Sequence, residues 1–300
     1  MSLLFAGLAI DVTSLTRPAE EDDPDNPDNP TPVEPEDGDD AEGAALDGTE
    51  GDDWLAGGEG DDALTGHGGN DDLHGGQGDD TLLGGDGTDW IYGDGDYGPS
   101  GADLIAGGAG DDSLAGQGGN DTLHGQAGND TIFGGEGDDS LTGGAGDDWI
   151  TGNSGHDTLV AGSGTDDLDG GAGDDLLTGS ARPDAAWLHG GAGQDTLIAG
   201  AGDFAEGGEG EDLFLIGPAD PALEEPGETV PVIGDFNQAE DRIELRYPDP
   251  GDGSVPQLTL ELDPEGATMI RMDGVAVARL LAAEGLRAGD ITLTALPPAG

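Results

Sequence analysis

The chain of 300 residues contains no cysteine and no lysine, and its seven basic residues are all arginine. Without cysteine there is no disulfide framework and no thiolate metal site, so the chain needs some other means of holding itself together. The near-absence of basic charge, set against 67 acidic residues and a net charge of −60, excludes nucleic acid as a partner. A polyanion would be repelled rather than steered in, and an anionic membrane surface is disfavoured for the same reason. Aromatics make up only 4% of the chain. Long apolar runs are missing too. The longest candidate, Leu3 to Ile10, falls far short of the ~20 residues of a membrane span and lacks a basic leader, so it reads as an apolar tail over residues 1–17.

What is abundant is glycine, 61 of 300 residues, together with aspartate. There is no three-residue period, which excludes collagen. Residues 18–47 carry Pro24, Pro27, Pro30, Pro32 and Pro35 among Asp, Glu and Asn, a composition that blocks helix and central strand and reads as an extended, disordered linker.

From Gly48 a nine-residue period begins: GTEGDDWLA at 48–56, GGEGDDALT at 57–65, GHGGNDDLH at 66–74, and so on to GGEGEDLFL at 207–215. Eighteen blocks fill 168 residues; the block at 93–106 carries five extra residues, 179–189 two extra, and 199–206 is one short. Position 8 is almost always Leu or Ile with mixed neighbours, which predicts a three-residue strand with one side chain inward and two outward. Positions 1 and 4 are nearly always Gly, as tight turns and close backbone approach require.

Position 6 is Asp in 16 of 18 blocks: Asp53, Asp62, Asp71, Asp80, Asp89, Asp103, Asp112, Asp121, Asp130, Asp139, Asp148, Asp157, Asp166, Asp175, Asp195 and Asp212. Position 5 drifts among seven residue types. Mere solvated acidity would not separate these adjacent positions. A calcium ion would, since it takes several hard oxygen ligands from carboxylates and backbone carbonyls. One apolar side chain in nine is a thin core, and closely packed Asp residues repel one another. The repeat region is therefore expected to be unfolded without calcium and folded with it.

The pattern resembles the calcium-binding nonapeptide repeat of RTX (repeats-in-toxin) proteins, G-G-x-G-x-D-x-U-x. The resemblance implies an all-β parallel β-roll solenoid over 48–215, with two blocks per coil and metal between stacked turns. Nine coils would be about 43 Å long. Val232-Ile233-Gly234-Asp235-Phe236 and Asp241-Arg242-Ile243-Glu244-Leu245 resemble the segment that follows the repeats in type I secreted members. Residues 216–300 are accordingly expected to form a β-rich cap carrying an uncleaved secretion signal, with strands at Leu258 to Leu262, Thr268 to Met272 and Ile291 to Leu293, and strand or short helix at Val275 to Ala283. Five of the seven Arg lie in this cap, where they would relieve repulsion. Type I secretion machinery would be a partner during export, and the location would be extracellular, secreted or cell-surface associated.

An enzyme is not expected. The five His residues do not form H-E-x-x-H, there is no G-x-S-x-G, and 47 residues before the repeats cannot hold a catalytic domain. Asp184 in the 179–189 block, where Arg182 replaces the position-4 Gly, and Asp203 in the short block have no clear register. Trp54, Trp90, Trp149 and Trp187 stand at position 7, and Tyr92 and Phe133 at position 9, all in odd-numbered blocks. They are expected to share one sheet face, a candidate contact surface for an extracellular polysaccharide or a cell-surface partner.

Overall fold

The computed structural model describes residues 43–95, 100–180, 184–217, 230–283 and 285–297. The apolar tail, most of the acidic linker, Tyr97, Pro99, Arg182 and the extreme C-terminus lie outside them.

The period folds as the spacing requires. Odd blocks contribute strands to a 13-stranded sheet and even blocks to a 12-stranded one, and each repeat strand pairs in parallel with the strand two blocks away. Leu55 thus meets Leu73, and Leu64 meets Leu82, so position 8 stacks on position 8 along the whole solenoid. These side chains form a single file between the sheets, from Leu55 to Leu197, essentially without solvent exposure.

The strands are longer than expected. Most run for six residues, such as Trp54–Glu59 and Thr158–Ser163, and continue through positions 1 to 3 of the next block. The inward-facing residues are position 8 and the following position 1, where glycine lets the sheets close on each other. Position 2 then turns the chain with positive φ, including the non-glycine residues His67, Gln117, Gln126 and Asn153 at φ 74–80°. Position 4 is more demanding. At Gly87 φ is 152°, and a Cβ there would strike the carbonyl of Gly69 one coil back, so only glycine fits.

The ladder also starts before the period does. Ala45–Asp47, placed in the linker by composition, pairs in parallel with Ala63, Leu64 and Thr65. Its Ala-Leu-Asp triplet has the x-apolar-x pattern of the repeat. At the other end the cap is a continuation of both sheets. Leu213–Ile216 pairs in parallel with Arg242–Pro248, which pairs with Thr292–Leu296. Phe204–Glu209 leads through Val232–Ile233 to Val275–Leu280, followed by antiparallel Thr268–Met272 and Leu258–Leu262. The ambiguous segment after Val275 is therefore a strand. Phe214 and Phe236 meet edge-on at 6.3 Å and thicken the core where the Leu file ends. The cap arginines pair with acids as expected: Arg279 donates to Asp263 at 2.7 Å and Glu265 at 2.6 Å, and Arg242 reaches Glu211 of the last block at 3.4 Å. Among the described residues no helix is long and apolar enough to cross a membrane.

Candidate metal centres: two rows of buried carboxylates

The position-6 Asp sits at the last turn residue before each strand, and coil stacking therefore brings these residues into two rows, one along each edge of the roll. From Asp62 to Asp212 each is at most 3% exposed. One carboxylate oxygen is used by the fold. Oδ1 of Asp157 accepts the backbone N–H of Asp139 at 2.8 Å, and Oδ1 of Asp175 accepts that of Asp157 at 2.8 Å, a pattern repeated coil after coil. In the first coil Oδ1 of Asp62 accepts the N–H of Ala44.

The second oxygen is the informative one. Oδ2 of Asp71, Asp80, Asp89, Asp103, Asp112, Asp121, Asp130, Asp139, Asp148, Asp157, Asp175, Asp195 and Asp212 is buried with no hydrogen-bond partner. An unpaired buried polar oxygen is costly, and a charged one much more so. In most blocks Oδ2 faces the position-1 glycine of its own block. A Cβ on Gly152, for example, would collide with Oδ2 of Asp157 and with the carbonyl oxygen of Gly170 one coil on. A carboxylate oxygen and a backbone carbonyl thus converge where side-chain atoms are excluded.

Burial pushes these carboxyls upward, and neighbouring Asp charges add to the effect against the opposing backbone hydrogen bond. Asp121 rises to about 8, and Asp80, Asp112, Asp148 and Asp195 to about 7. Asp89, Asp103, Asp130, Asp139, Asp157 and Asp175 rise to about 6, mainly through burial. Either a proton or a cation would settle such groups. The donor set is entirely oxygen, which suits a hard divalent ion rather than a soft one. Among the described residues no three carboxylate or imidazole side chains converge on one point, so backbone carbonyls would supply the larger share of ligands.

Four carboxylates in line with these rows are instead satisfied by the protein. Oδ2 of Asp53 accepts the N–H of Thr49 at 2.6 Å and its hydroxyl at 2.9 Å. Oδ2 of Asp166 accepts the Ser180 hydroxyl at 2.8 Å. Asp203 is fully buried; its Oδ1 accepts from Ala186 N–H and its Oδ2 from Gly200 N–H, at 2.8 and 2.7 Å. Asp241, beyond the repeats, accepts from Asp212 N–H at 3.2 Å and Asn237 N–H at 2.6 Å and ends its row.

Asp203 is thus a position-6 residue that the one-residue deletion in its block conceals. Counting back from the triplet Phe204-Ala205-Glu206 rather than forward from the glycines would have found it. The same rule puts Ala186, not Asp184, in line in the 179–189 block; Asp184 accepts from Gly164 N–H at 3.2 Å away from the row. Position 5 is also less free than its variety implied. Asp111 accepts from the N–H of Asn129, Asn129 from that of Asp147, and Asp138 from that of His156, at 2.8, 2.8 and 2.9 Å. This outer ladder runs in the opposite direction, and its Asp and Asn bias was its sequence signal.

The six aromatics do share the 13-stranded sheet, but they do not form one open face. Trp149 and Trp187 are 42% and 44% exposed, whereas Trp54, Trp90 and Tyr92 are half-buried. Phe133 is a correction: it is 3% exposed, as is its small register partner Ala115 at 2%, and it offers no contact surface. A phenyl ring beside an alanine can lie down out of water, and has no polar handle to keep it there. Trp54, His74 and Tyr92 form a row with ring centroids 5.9 and 4.9 Å apart, and Trp187 packs on Phe204 at 5.0 Å.

Parallel ladders of two blocks per coil, glycine turns and rows of buried carboxylates define a calcium-binding parallel β-roll. The chain belongs to the RTX calcium-binding nonapeptide repeat family, which matches residues 47–82, 65–98, 97–132, 124–159, 133–168, 160–181 and 184–214. Repeats of this family bind Ca2+. No curated protein matches the chain. Among solved structures it is similar to the extracellular lipase LipA from Serratia marcescens, at 18% identity and a TM-score of 0.20, over 82% of this chain and 39% of the lipase. A likeness of that strength carries no argument about activity, and the chain spans well under half of the lipase.

Proposed function

We propose that the chain is a non-enzymatic extracellular module whose roll folds on binding calcium, and that the position-6 aspartates whose Oδ2 lacks a protein donor, from Asp71 to Asp148 and at Asp157, Asp175, Asp195 and Asp212, supply the carboxylate ligands. The observation that carries this reading is the run of buried Oδ2 atoms with no protein donor, repeated at the period of the fold. Each of these Asp residues uses Oδ1 to hold the preceding coil, and most present Oδ2 beside a backbone carbonyl of the next coil. Bound calcium would neutralise the rows and supply the missing partner to these oxygens. Scarce calcium would leave the rows repelling one another, the state suited to passage through type I secretion machinery. Abundant external calcium would then fold the chain as a structural or adhesive module. Limited proteolysis tests this. The repeat region should resist a broad-specificity protease in millimolar calcium and be degraded in EDTA; equal resistance in both would contradict it.

A second reading is favoured by Trp149 and Trp187, large apolar side chains left exposed two strands apart on one sheet. They suit the faces of sugar rings, which makes a polysaccharide the partner of that sheet. Trp149→Ala with Trp187→Ala should then abolish retention on immobilised polysaccharide while leaving the calcium-folded spectrum unchanged. Unchanged retention on every polysaccharide that binds the parent chain would remove the reading.

A further inference from the structure

The two edges of the roll are not chemically equivalent. Along the even-block edge the position-6 aspartates run without interruption from Asp62 to Asp212, each holding the N–H of the coil before. Oδ2 lacks a protein donor from Asp80 through Asp212. The odd-block edge matches this only from Asp71 to Asp148. Beyond it, three successive blocks each depart in a different way. Asp166 has its Oδ2 hydrogen-bonded to the Ser180 hydroxyl at 2.8 Å, the shorter of that hydroxyl's two contacts, with the Gly164 carbonyl at 3.2 Å. The next in-line residue is Ala186, with no carboxylate at all. Asp203 turns its Oδ2 onto Gly200 within its own shortened turn, which is further closed by Asp203 N–H to the Gly200 carbonyl at 3.3 Å.

Position 1 gives an independent sign of the same change. Of the eighteen blocks only those of Asp166 and Asp203 begin with alanine, Ala161 and Ala199, and both alanines are buried. At the other position-1 residues a Cβ would collide with the Asp Oδ2 of its own block, except at Gly179, where it would meet Oδ2 of Asp203 one coil on. The added methyl thus appears only where Oδ2 has found a protein donor. A hydroxyl proton, a peptide N–H and two methyl groups occupy the chemistry that an ion would otherwise fulfil.

We infer that the odd-block edge from Asp166 to Asp203 is a calcium-free seam, closed by Ser180 and Gly200, so that the two edges of one roll carry different numbers of calcium ions. This rests on the reading that position-6 carboxylates hold calcium. In the seam Ser180 is a structural donor and Asp166 its acceptor, not a metal ligand. The roll is consequently held by metal on both edges from Asp71 to Asp148, and by metal on one edge only beyond it.

The test counts calcium bound per full-length chain by equilibrium dialysis at saturating calcium, alongside the thermal midpoint. Asp166→Asn keeps an oxygen for the N–H of Asp148 and should leave the number of bound ions unchanged, whereas Asp175→Asn on the even edge should lose bound calcium. Loss of calcium by Asp166→Asn equal to that of Asp175→Asn would overturn the seam. Retention of all calcium by both would overturn the ligand reading itself, and the seam with it. Should Asp166→Asn fail to fold, Ser180→Ala decides. The seam predicts a lower thermal midpoint in saturating calcium with the ion count unchanged. An ion gained at Asp166 on loss of the hydroxyl would likewise support the seam, whereas an unaltered midpoint with an unchanged ion count would mean that calcium and not the hydroxyl satisfies Asp166.

Discussion

The even-block edge and the odd-block edge are built from the same nonapeptide, share one core and lie on one solenoid, yet they solve the burial of carboxylates differently. On the even edge every Oδ2 from Asp80 to Asp212 is left without a protein donor. On the odd edge, past Asp148, the protein supplies hydrogen-bond donors and removes one carboxylate altogether, at Ala186. The comparison separates what the repeat needs for its shape from what it needs for its metal. Shape needs the position-8 apolar file, the glycine at position 4 and a single oxygen accepting from the coil before. Metal needs the second oxygen, and the glycine at position 1 that makes room for it.

The largest single-site effect should fall on what the edges share. Leu159→Ala and Leu168→Ala, neighbours on opposite sheets and both fully buried, should each cost about 2–5 kcal/mol in saturating calcium. Denaturant unfolding should give similar losses. A large difference between them would mean that the core, not the turns, distinguishes the two sides.

Next is the methyl group at position 1. Gly152→Ala places a Cβ against Oδ2 of Asp157 and the Gly170 carbonyl and should cost about 1–3 kcal/mol of stability, with a weakened calcium midpoint. The reciprocal Ala161→Gly, where Asp166 already has Ser180, should change the calcium midpoint little. Equal shifts would erase the distinction between the edges.

Protons should partly replace calcium, and the sign follows from burial. These carboxyls titrate higher folded, near 6 to 8, than the ordinary 3.8 of the unfolded chain. Their contribution to stability is full below 3.8 and is lost as pH rises through the folded values. Calcium-free protein should accordingly gain β-structure as pH falls from about 8 towards 4, followed by circular dichroism, while calcium binds more weakly over the same range. Asp121, at about 8, should respond first.

The smallest effect belongs to the outer ladder. Asn129→Ala removes an exposed acceptor from Asp147 N–H and should cost about 0.5–1.5 kcal/mol without altering the calcium midpoint.

The regular part of this structure was open to reading because a strict period fixes register. Once Leu64 and Leu82 stack, Asp62 and Asp80 must stack too, and the shared sheet of Trp54, Trp90, Trp149 and Trp187 follows from block parity alone. What escaped were features set by neighbouring coils rather than by the repeat. Asp203 was hidden because a deletion shifts the glycines but not the strand triplet. The Ser180 hydrogen bond joins residues fourteen apart in successive coils, which no local motif marks. The three-residue strands proved to be six because glycine at position 1, silent in hydropathy, occupies an inward site. The cap's strands were visible as β-branched runs, but their parallel addition to both sheets depends on long-range pairing.

Calcium is the partner proposed for the buried Oδ2 atoms that the protein leaves without a donor. The most direct test is a far-UV circular dichroism titration of EDTA-treated protein, with calcium and, separately, with magnesium at neutral pH. The account predicts a cooperative gain of β signal with calcium and none with magnesium, which holds its waters and demands a tighter octahedron. A spectrum already fully folded in EDTA would contradict it, since the carboxylate rows would then be stable without any ion.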